Sequence, residues 1–220
     1  MIQLTQWFKE QIAGVLKLAG TSALVLTFFS SVTPEWASAK KPQTIGLDLQ
    51  KSTLRWEGRK PAGSHHGTVK LKQGFLKMEG GKPVGGEFIV DLTTISNQDL
   101  ESEEDRQQLE SHLKSKDFFH VSEHPQASFK IEEITPVGAS GLVQKYRLKG
   151  PLTIRGITHT VTLPGKLTVK DQKYVLTGSF SIDRTRWGVK YKSKKFFDLG
   201  KLKDKFIYDT IEFDVDLITQ

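Results

Sequence analysis

Residues 144–182 read QKYRLKGPLTIRGITHTVTLPGKLTVKDQKYVLTGSFSI. Tyr146, Leu148, Leu152 and Ile154 alternate with Arg147, Lys149, Thr153 and Arg155. Past a turn at Arg155-Gly156, Val161, Leu163, Leu167 and Val169 alternate with Thr160, Thr162, Lys166 and Thr168. Past a second turn at Asp171-Gln172, Tyr174, Leu176, Phe180 and Ile182 continue the pattern. A period of two sends apolar side chains to one face of a sheet and polar ones to the other. Two short polar turns make the three strands an antiparallel meander. Its greasy face must be covered, and the flanking strands are the means.

Upstream, alternation places strands at Ser52–Arg59, Thr68–Lys72, Phe75–Glu79 and Gly86–Leu92, with Ile45–Asp48 as a possible start of the sheet. Pro61, Gly63 and Gly67 read as a break, and Gly80-Gly81-Lys82-Pro83 as a turn. Pro125 opens a strand over Ala127–Ile134. Tyr208–Ile218 closes the chain with Ile211, Phe213, Val215 and Leu217 inward. One helix interrupts the sheet within Asn97–Lys116, its pattern running over about 99–116. Ser102, three residues before Asp105, suggests an N-terminal cap. Glu103, Glu104 and Asp105 lie early and His112, Lys114 and Lys116 late, an order that complements the helix dipole. Leu109 and Leu113 form a narrow apolar stripe, which places the helix on the surface or across a barrel end. Eight to ten alternating strands with polar turns predict an all-β fold, an antiparallel barrel or sandwich, and the length of the strands favours the barrel.

The first 39 residues read as a targeting segment. Lys9 and Lys17 precede an uncharged apolar run, Leu18–Val32, then Pro34 and Ala37-Ser38-Ala39. That order matches a secretory signal peptide cleaved after Ala39, leaving residues 40–220 as the mature domain. An uncleaved anchor is the competing reading. The chain carries a net charge of +7 and no cysteine. Disulfides, thiolate metal sites and cysteine nucleophiles are thereby excluded. A basic surface suggests anionic partners. Residues 183–205 concentrate that charge, interleaved with Trp187, Tyr191, Phe196 and Phe197. Such a segment can grip nucleic acid, meet an anionic membrane or receive a headgroup. An export signal argues against nucleic acid.

Catalytic and metal signals are weak. No Gly-x-Ser-x-Gly elbow is present, and paired acids could meet only through the fold. No catalytic residue, cofactor or metal ligand is assigned. His65-His66 sits in a Gly-rich stretch, and neighbouring strand residues point to opposite faces. His112, His120, His124 and His159 lack His-Glu-x-x-His spacing.

Several segments together resemble the YceI-like lipid/polyisoprenoid-binding family over roughly Leu47–Leu217. They are Trp56-Glu57-Gly58 with Gly63-Ser64-His65-His66-Gly67, then Gly85-Gly86-Glu87-Phe88, then Asp91 with Ile95. His112–Phe119, His124–Phe129, Gly150–Gly156 and Ile182–Gly188 follow in the same order. The resemblance implies an extended, lipocalin-like antiparallel barrel of about eight strands, in an exported bacterial protein, periplasmic or secreted. It further implies a long isoprenoid or similar amphiphile held in the lumen. Alternation alone supplies the expected lumen: Trp56, Val69, Leu71, Phe88, Val90, Phe129, Ile131, Tyr146, Leu148, Val161, Leu163, Tyr174, Leu176, Phe180, Phe213 and Val215. His66, Arg184 and Trp187 are the expected rim. The alternatives are an enzyme acting on lipid or envelope substrates, and a filled barrel serving as an interaction module. Alternation does not separate a filled barrel from a hollow one, and it leaves the oligomeric state, a homodimer included, open.

Overall fold

Period-two alternation becomes a closed ladder. The first four strands are β1 (Gln43–Gly46), β2 (Thr53–Lys60), β3 (Gly63–Glu79) and β4 (Lys82–Asn97). A helix, α1 (Glu103–Lys114), then precedes β5 (Gln126–Ile131) and β6 (Glu133–Ser140). The central meander forms β7 (Val143–Ile154), β8 (Ile157–Lys170) and β9 (Lys173–Asp183), and β10 (Thr210–Ile218) closes the chain. This computed structural model describes residues 41–198, 202 and 205–220. The targeting segment expected at 1–39, with its cleavage after Ala39, lies outside the described residues.

The strands pair in the order β3-β2-β10-β9-β8-β7-β5-β4, and β4 returns to β3. Eight antiparallel strands therefore close a barrel, which removes unpaired edges. Two short strands extend the wall. β1 replaces β2 beside the second half of β3, pairing Gln43 with Met78 and Gly46 with Phe75. β6 replaces β5 beside the first half of β7, pairing Glu133 with Lys149 and Ser140 with Val143. With 17 residues in β3 and 16 in β4, the wall is long, about 56 Å of chain for β3 at roughly 3.3 Å per residue.

Three elements differ from the sequence reading. β3 runs unbroken through the Gly-rich stretch, so the turn is confined to Pro61-Ala62. Gly67 is there for close approach, since a β-carbon at that position would fall 1.8 Å from Ser96 O and 2.9 Å from Trp56 Cζ2. The strand expected over Ala127–Ile134 divides at Glu132, whose N–H still reaches Lys149 O at 2.9 Å. α1 is shorter than expected, since Ser102 accepts a hydrogen bond from Asp105 N at 3.3 Å and so fixes its start.

Two apolar clusters stand at different levels of the bore. One gathers Leu71, Leu76, Met78, Phe88, Phe129, Ile131, Tyr146, Leu148, Leu163, Leu167, Leu176 and Leu217. The other gathers Val69, Leu92, Ile95, Leu113, Phe118, Ala127, Ile154, Ile182, Trp187 and Ile211 around the end covered by α1. Val90, Leu152, Val161 and Phe180 touch both clusters and mark the boundary.

Candidate functional site

The cavity occupies the α1 end. A cavity of about 180 Å³ lies between Leu54, Trp56, Val69, Val90, Leu92, Ile95, Ala127, Leu152, Ile154, Phe180, Ile182, Ile211 and Phe213. That is below the roughly 300–1,000 Å³ of sites that enclose drug-sized molecules, so the space suits a narrow guest. The other end of the bore is closed by large side chains, Met78, Phe88, Phe129 and Tyr146 among them. Phe180 and Phe213, cross-strand partners on β9 and β10, stack with centroids 5.4 Å apart in the cavity wall.

Local irregularities shape the open end. Between the pairs Thr68–Ser96 and Lys70–Asp91, four residues of β4 stand opposite the single Val69 of β3. Asp91 and Thr94 hold this bulge. Asp91 Oδ1 accepts from Thr93 N at 3.0 Å, and Thr94 Oγ1 accepts from Lys70 N at 2.9 Å. The added residues lengthen the wall and break the alternation locally, so that Leu92 and Ile95 both line the cavity. From α1, Leu109 and Leu113 face the same space, with Phe118 and Phe119 beyond them. The narrow stripe of the helix thus lies across the barrel end.

Polar groups gather at the mouth, where Arg59, Lys60, His65, Arg184 and Tyr208 join the lining. His65 Nδ1 meets Asp99 Oδ2 at 2.8 Å, and His65 Nε2 lies 3.2 Å from Lys60 Nζ. Asp99 Oδ1 also accepts from His66 N at 2.8 Å and from Asn97 Nδ2 at 2.5 Å. Burial alone would raise the pKa of Asp99, but the hydrogen bonds from His66, His65 and Asn97 outweigh it and hold the carboxyl below its ordinary value. Arg59 is matched by Glu57 at 3.2 Å and Glu212 at 3.4 Å. Among the described residues, Lys60 is the mouth cation without a carboxylate within ion-pair distance.

Arg184 is 1% exposed. Its guanidinium donates to Val189 O at 2.8 Å, Tyr208 O and Ile207 O at 3.1 Å each, and Asp209 Oδ1 at 3.4 Å. Burial lowers its pKa, and Asp209 and Asp183 partly offset that. Arg184 therefore straps residues 207–209 to the turn at Arg184–Trp187. Asp183 starts that turn by accepting from Thr185 N at 3.0 Å. Burial would raise its pKa too, but hydrogen bonds from Lys195 and Thr185 leave it lowered.

Of the lumen residues expected from alternation, Trp56, Val69, Val90, Phe180 and Phe213 line the cavity. Leu71, Phe88, Phe129, Ile131, Tyr146, Leu148, Leu163 and Leu176 belong to the filled end, with Val161, Tyr174 and Val215 packed against them. Of the expected rim, Arg184 borders the cavity, while His66 is on the opposite face from His65. Trp187 is buried, its Nε1 donating to Leu152 O at 3.2 Å and its ring edge-on to His159 at 5.1 Å. Leu54, Leu92, Leu152, Ile154, Ile182 and Ile211 share the same alternation and could have been named from it. Leu109 and Leu113 were visible as an i, i+4 pair.

The basic stretch is partly folded back on itself. Lys190 Nζ lies 4.6 Å from the Phe196 ring centre and Lys194 Nζ 3.5 Å from that of Phe206. Lys195 Nζ pairs with Asp183 at 2.5 Å. Phe196, Phe197 and Tyr208 remain 49%, 46% and 47% exposed. Apart from the cavity, His120, Glu123 and His124 bring three donor atoms within 4.8 Å of one another. A search for His-Glu-x-x-His passes over them because their order is His-x-x-Glu-His.

The YceI-like domain profile matches residues 46–218. The chain belongs to the YceI-like family. A UPF0312 protein of Photorhabdus laumondii is 27% identical over 155 residues, 70% of this chain and 68% of that protein. One from Yersinia enterocolitica is 29% identical over 146 residues, 66% of this chain and 68% of that protein. Among solved structures, BcnA of Burkholderia cenocepacia superposes with a TM-score of 0.63 at 21% identity, covering 79% of this chain and 99% of BcnA. A polyisoprenoid binding domain from Saccharophagus degradans superposes with a TM-score of 0.57 at 12% identity, covering 82% of this chain and 99% of that domain. Both likenesses concern the fold. This YceI-like barrel is hollow at one end and solid at the other.

Proposed function

We propose that this YceI-like protein is an exported carrier that holds a long-chain amphiphile, of the polyisoprenoid kind, by its tail. The carrying observation is the cavity, whose surface is apolar throughout, with Lys60 and His65 at its border. The neighbour described as a polyisoprenoid binding domain supports the reading, and the leader-like residues 1–39 support export. Length of tail matters energetically. Each methylene withdrawn from water contributes about 0.8 kcal/mol, so ten contribute about 8 kcal/mol. Association costs some 4–15 kcal/mol. Short chains therefore fail to be retained, and long ones are held.

At the mouth, Lys60 beside His65 suits an anionic head such as a phosphate. The lysines at 190, 192 and 194 with exposed Phe196 and Phe197 suit transient contact with an anionic membrane, where cargo is collected or delivered. Mass spectrometry of an organic extract of the purified protein tests the tail assignment. Displacement of a fluorescent fatty probe by polyprenyl phosphate and by the uncharged polyprenol tests the head. The expected result is a co-purifying amphiphile and tighter binding of the phosphate, with that preference reduced in Lys60→Gln. Delipidated protein with no affinity for either polyprenyl compound would refute the carrier.

A further inference from the structure

The chain between α1 and β5 reads Phe119-His120-Val121-Ser122-Glu123-His124-Pro125. His120 O accepts hydrogen bonds from Glu123 N at 3.1 Å and His124 N at 2.9 Å. The segment is therefore a single helical turn, and positions i, i+3 and i+4 of such a turn share one face. The backbone upstream is tied as well, with His120 N donating to Ser115 O at 2.9 Å. His120 takes the left-handed conformation, φ 50°, in which histidine is enriched among residues with a β-carbon.

Three donors converge on that face. His120 Nε2 and Glu123 Oε1 are 3.4 Å apart, and all three donor atoms lie within 4.8 Å of one another. A tetrahedral zinc ion with bonds of about 2.0–2.1 Å sets its ligand atoms about 3.3 Å apart. One edge of the tetrahedron is thus already formed, and the other two, both of which end on His124, close by up to about 1.5 Å, within reach of rotation of the His124 and Glu123 side chains. His124 is seated against Gly156, where the chain turns between β7 and β8 with φ 70°. A β-carbon on Gly156 would stand 3.1 Å from His124 Cε1, so the absence of a side chain there gives the imidazole its place.

We propose that His120, Glu123 and His124 form a binding site for a divalent first-row transition-metal ion such as zinc. Two imidazoles and one carboxylate are the ligand types that favour zinc, copper and nickel over calcium and magnesium. The chain has no cysteine to compete for the ion. The Glu123 side chain is 67% exposed, which leaves the remaining coordination position facing solvent. Phe118 and Phe119 precede the site directly and Ala127 follows it, and all three line the cavity. An ion held there braces the segment that carries them. The site does not depend on what the cavity carries.

Isothermal titration of the metal-free full chain, purified without a histidine tag, with zinc chloride tests the assignment. One ion per chain is expected, with magnesium not bound at the same concentration. His120→Asn and His124→Asn should each weaken zinc binding by more than the roughly 10–100-fold typical of losing an outer partner of a metal ligand. His112→Asn, outside the cluster, should not. Zinc should also shift the ring resonances of His120 and His124 and leave those of His65, His112 and His159 in place. Circular dichroism on each variant separates lost ligation from lost fold. Absence of stoichiometric zinc uptake, or unchanged uptake in a folded His120→Asn, His124→Asn double variant, would overturn the site.

Discussion

Replacing Arg184 by methionine is the sharpest test of how the cavity mouth is built. The side chain is 1% exposed and bonds to three backbone carbonyls and the Asp209 carboxylate. Methionine fills the stem but satisfies none of these acceptors. Hydrogen bonds from a charged donor contribute about 1.5–3 kcal/mol each, and simple addition would exceed 6 kcal/mol. Two features reduce the figure. Lys195 Nζ lies 3.7 Å from Asp209 Oδ2 and keeps that carboxylate company. Tyr208 is half exposed, so water can reach its carbonyl. The net expectation is the 3–5 kcal/mol typical of removing one partner of a buried ion pair. With a urea slope near 2 kcal/mol per M, the unfolding midpoint of the purified full chain falls by about 2 M at unchanged slope. Arg184→Lys keeps the charge but cannot span the fork of acceptors, and should recover less than half of the loss. A midpoint shift under about 0.25 M for the methionine variant, the range of an ordinary surface change, would refute the strap.

Gly67→Ala forces a β-carbon to 1.8 Å from Ser96 O, so β3 and β4 must part, and thermal unfolding should register a loss of at least about 3 kcal/mol. Leu148→Ala, in the filled end, should cost about 2–5 kcal/mol in urea unfolding while leaving lipid in the organic extract, whereas Ala127→Leu, in the cavity wall, should deplete the lipid at a cost no greater than the roughly 1–3 kcal/mol of overpacking. The lowered pKa of Asp99 contributes stability that is fully present above the ordinary aspartate value of about 3.9 and is lost as pH falls through the lowered native value. Asp99→Asn should therefore narrow its stability deficit against the parent chain when urea unfolding is moved from pH 7 to pH 3. Phe196→Ser with Phe197→Ser should weaken sedimentation with anionic vesicles, and added salt should weaken it further, because each lysine near such a surface contributes about 1 kcal/mol that falls off within a Debye length.

The barrel was legible because alternation is a local signal. Tyr146 through Ile182 state their own inward and outward faces, and the turns at Arg155-Gly156 and Asp171-Gln172 state the connectivity. β6 was not legible, since Pro136 and Gly138 interrupt the pattern and the strand is mostly exposed. The division of the bore was hidden for a different reason. Whether Leu148 packs solid or Leu92 faces a void depends on which side chains share a level around the ring. Cross-strand register and the bulge after Asp91 set those levels. Arg184 shows the limit for polar residues. Its charge suggests exposure, yet the carbonyls of Val189, Ile207 and Tyr208 need a donor, and no spacing announces that need. His120, Glu123 and His124 were visible in sequence and lacked only the turn that gathers them.

The stacked pair Phe180 and Phe213 has a consequence for redesign. The two rings are cross-strand partners on β9 and β10, so the wall that bounds the cavity is also a wall that holds the barrel together. An engineer who recuts the upper compartment must therefore trade every change of shape against the fit of those two strands, and the solid end is the keel on which such changes can be tried.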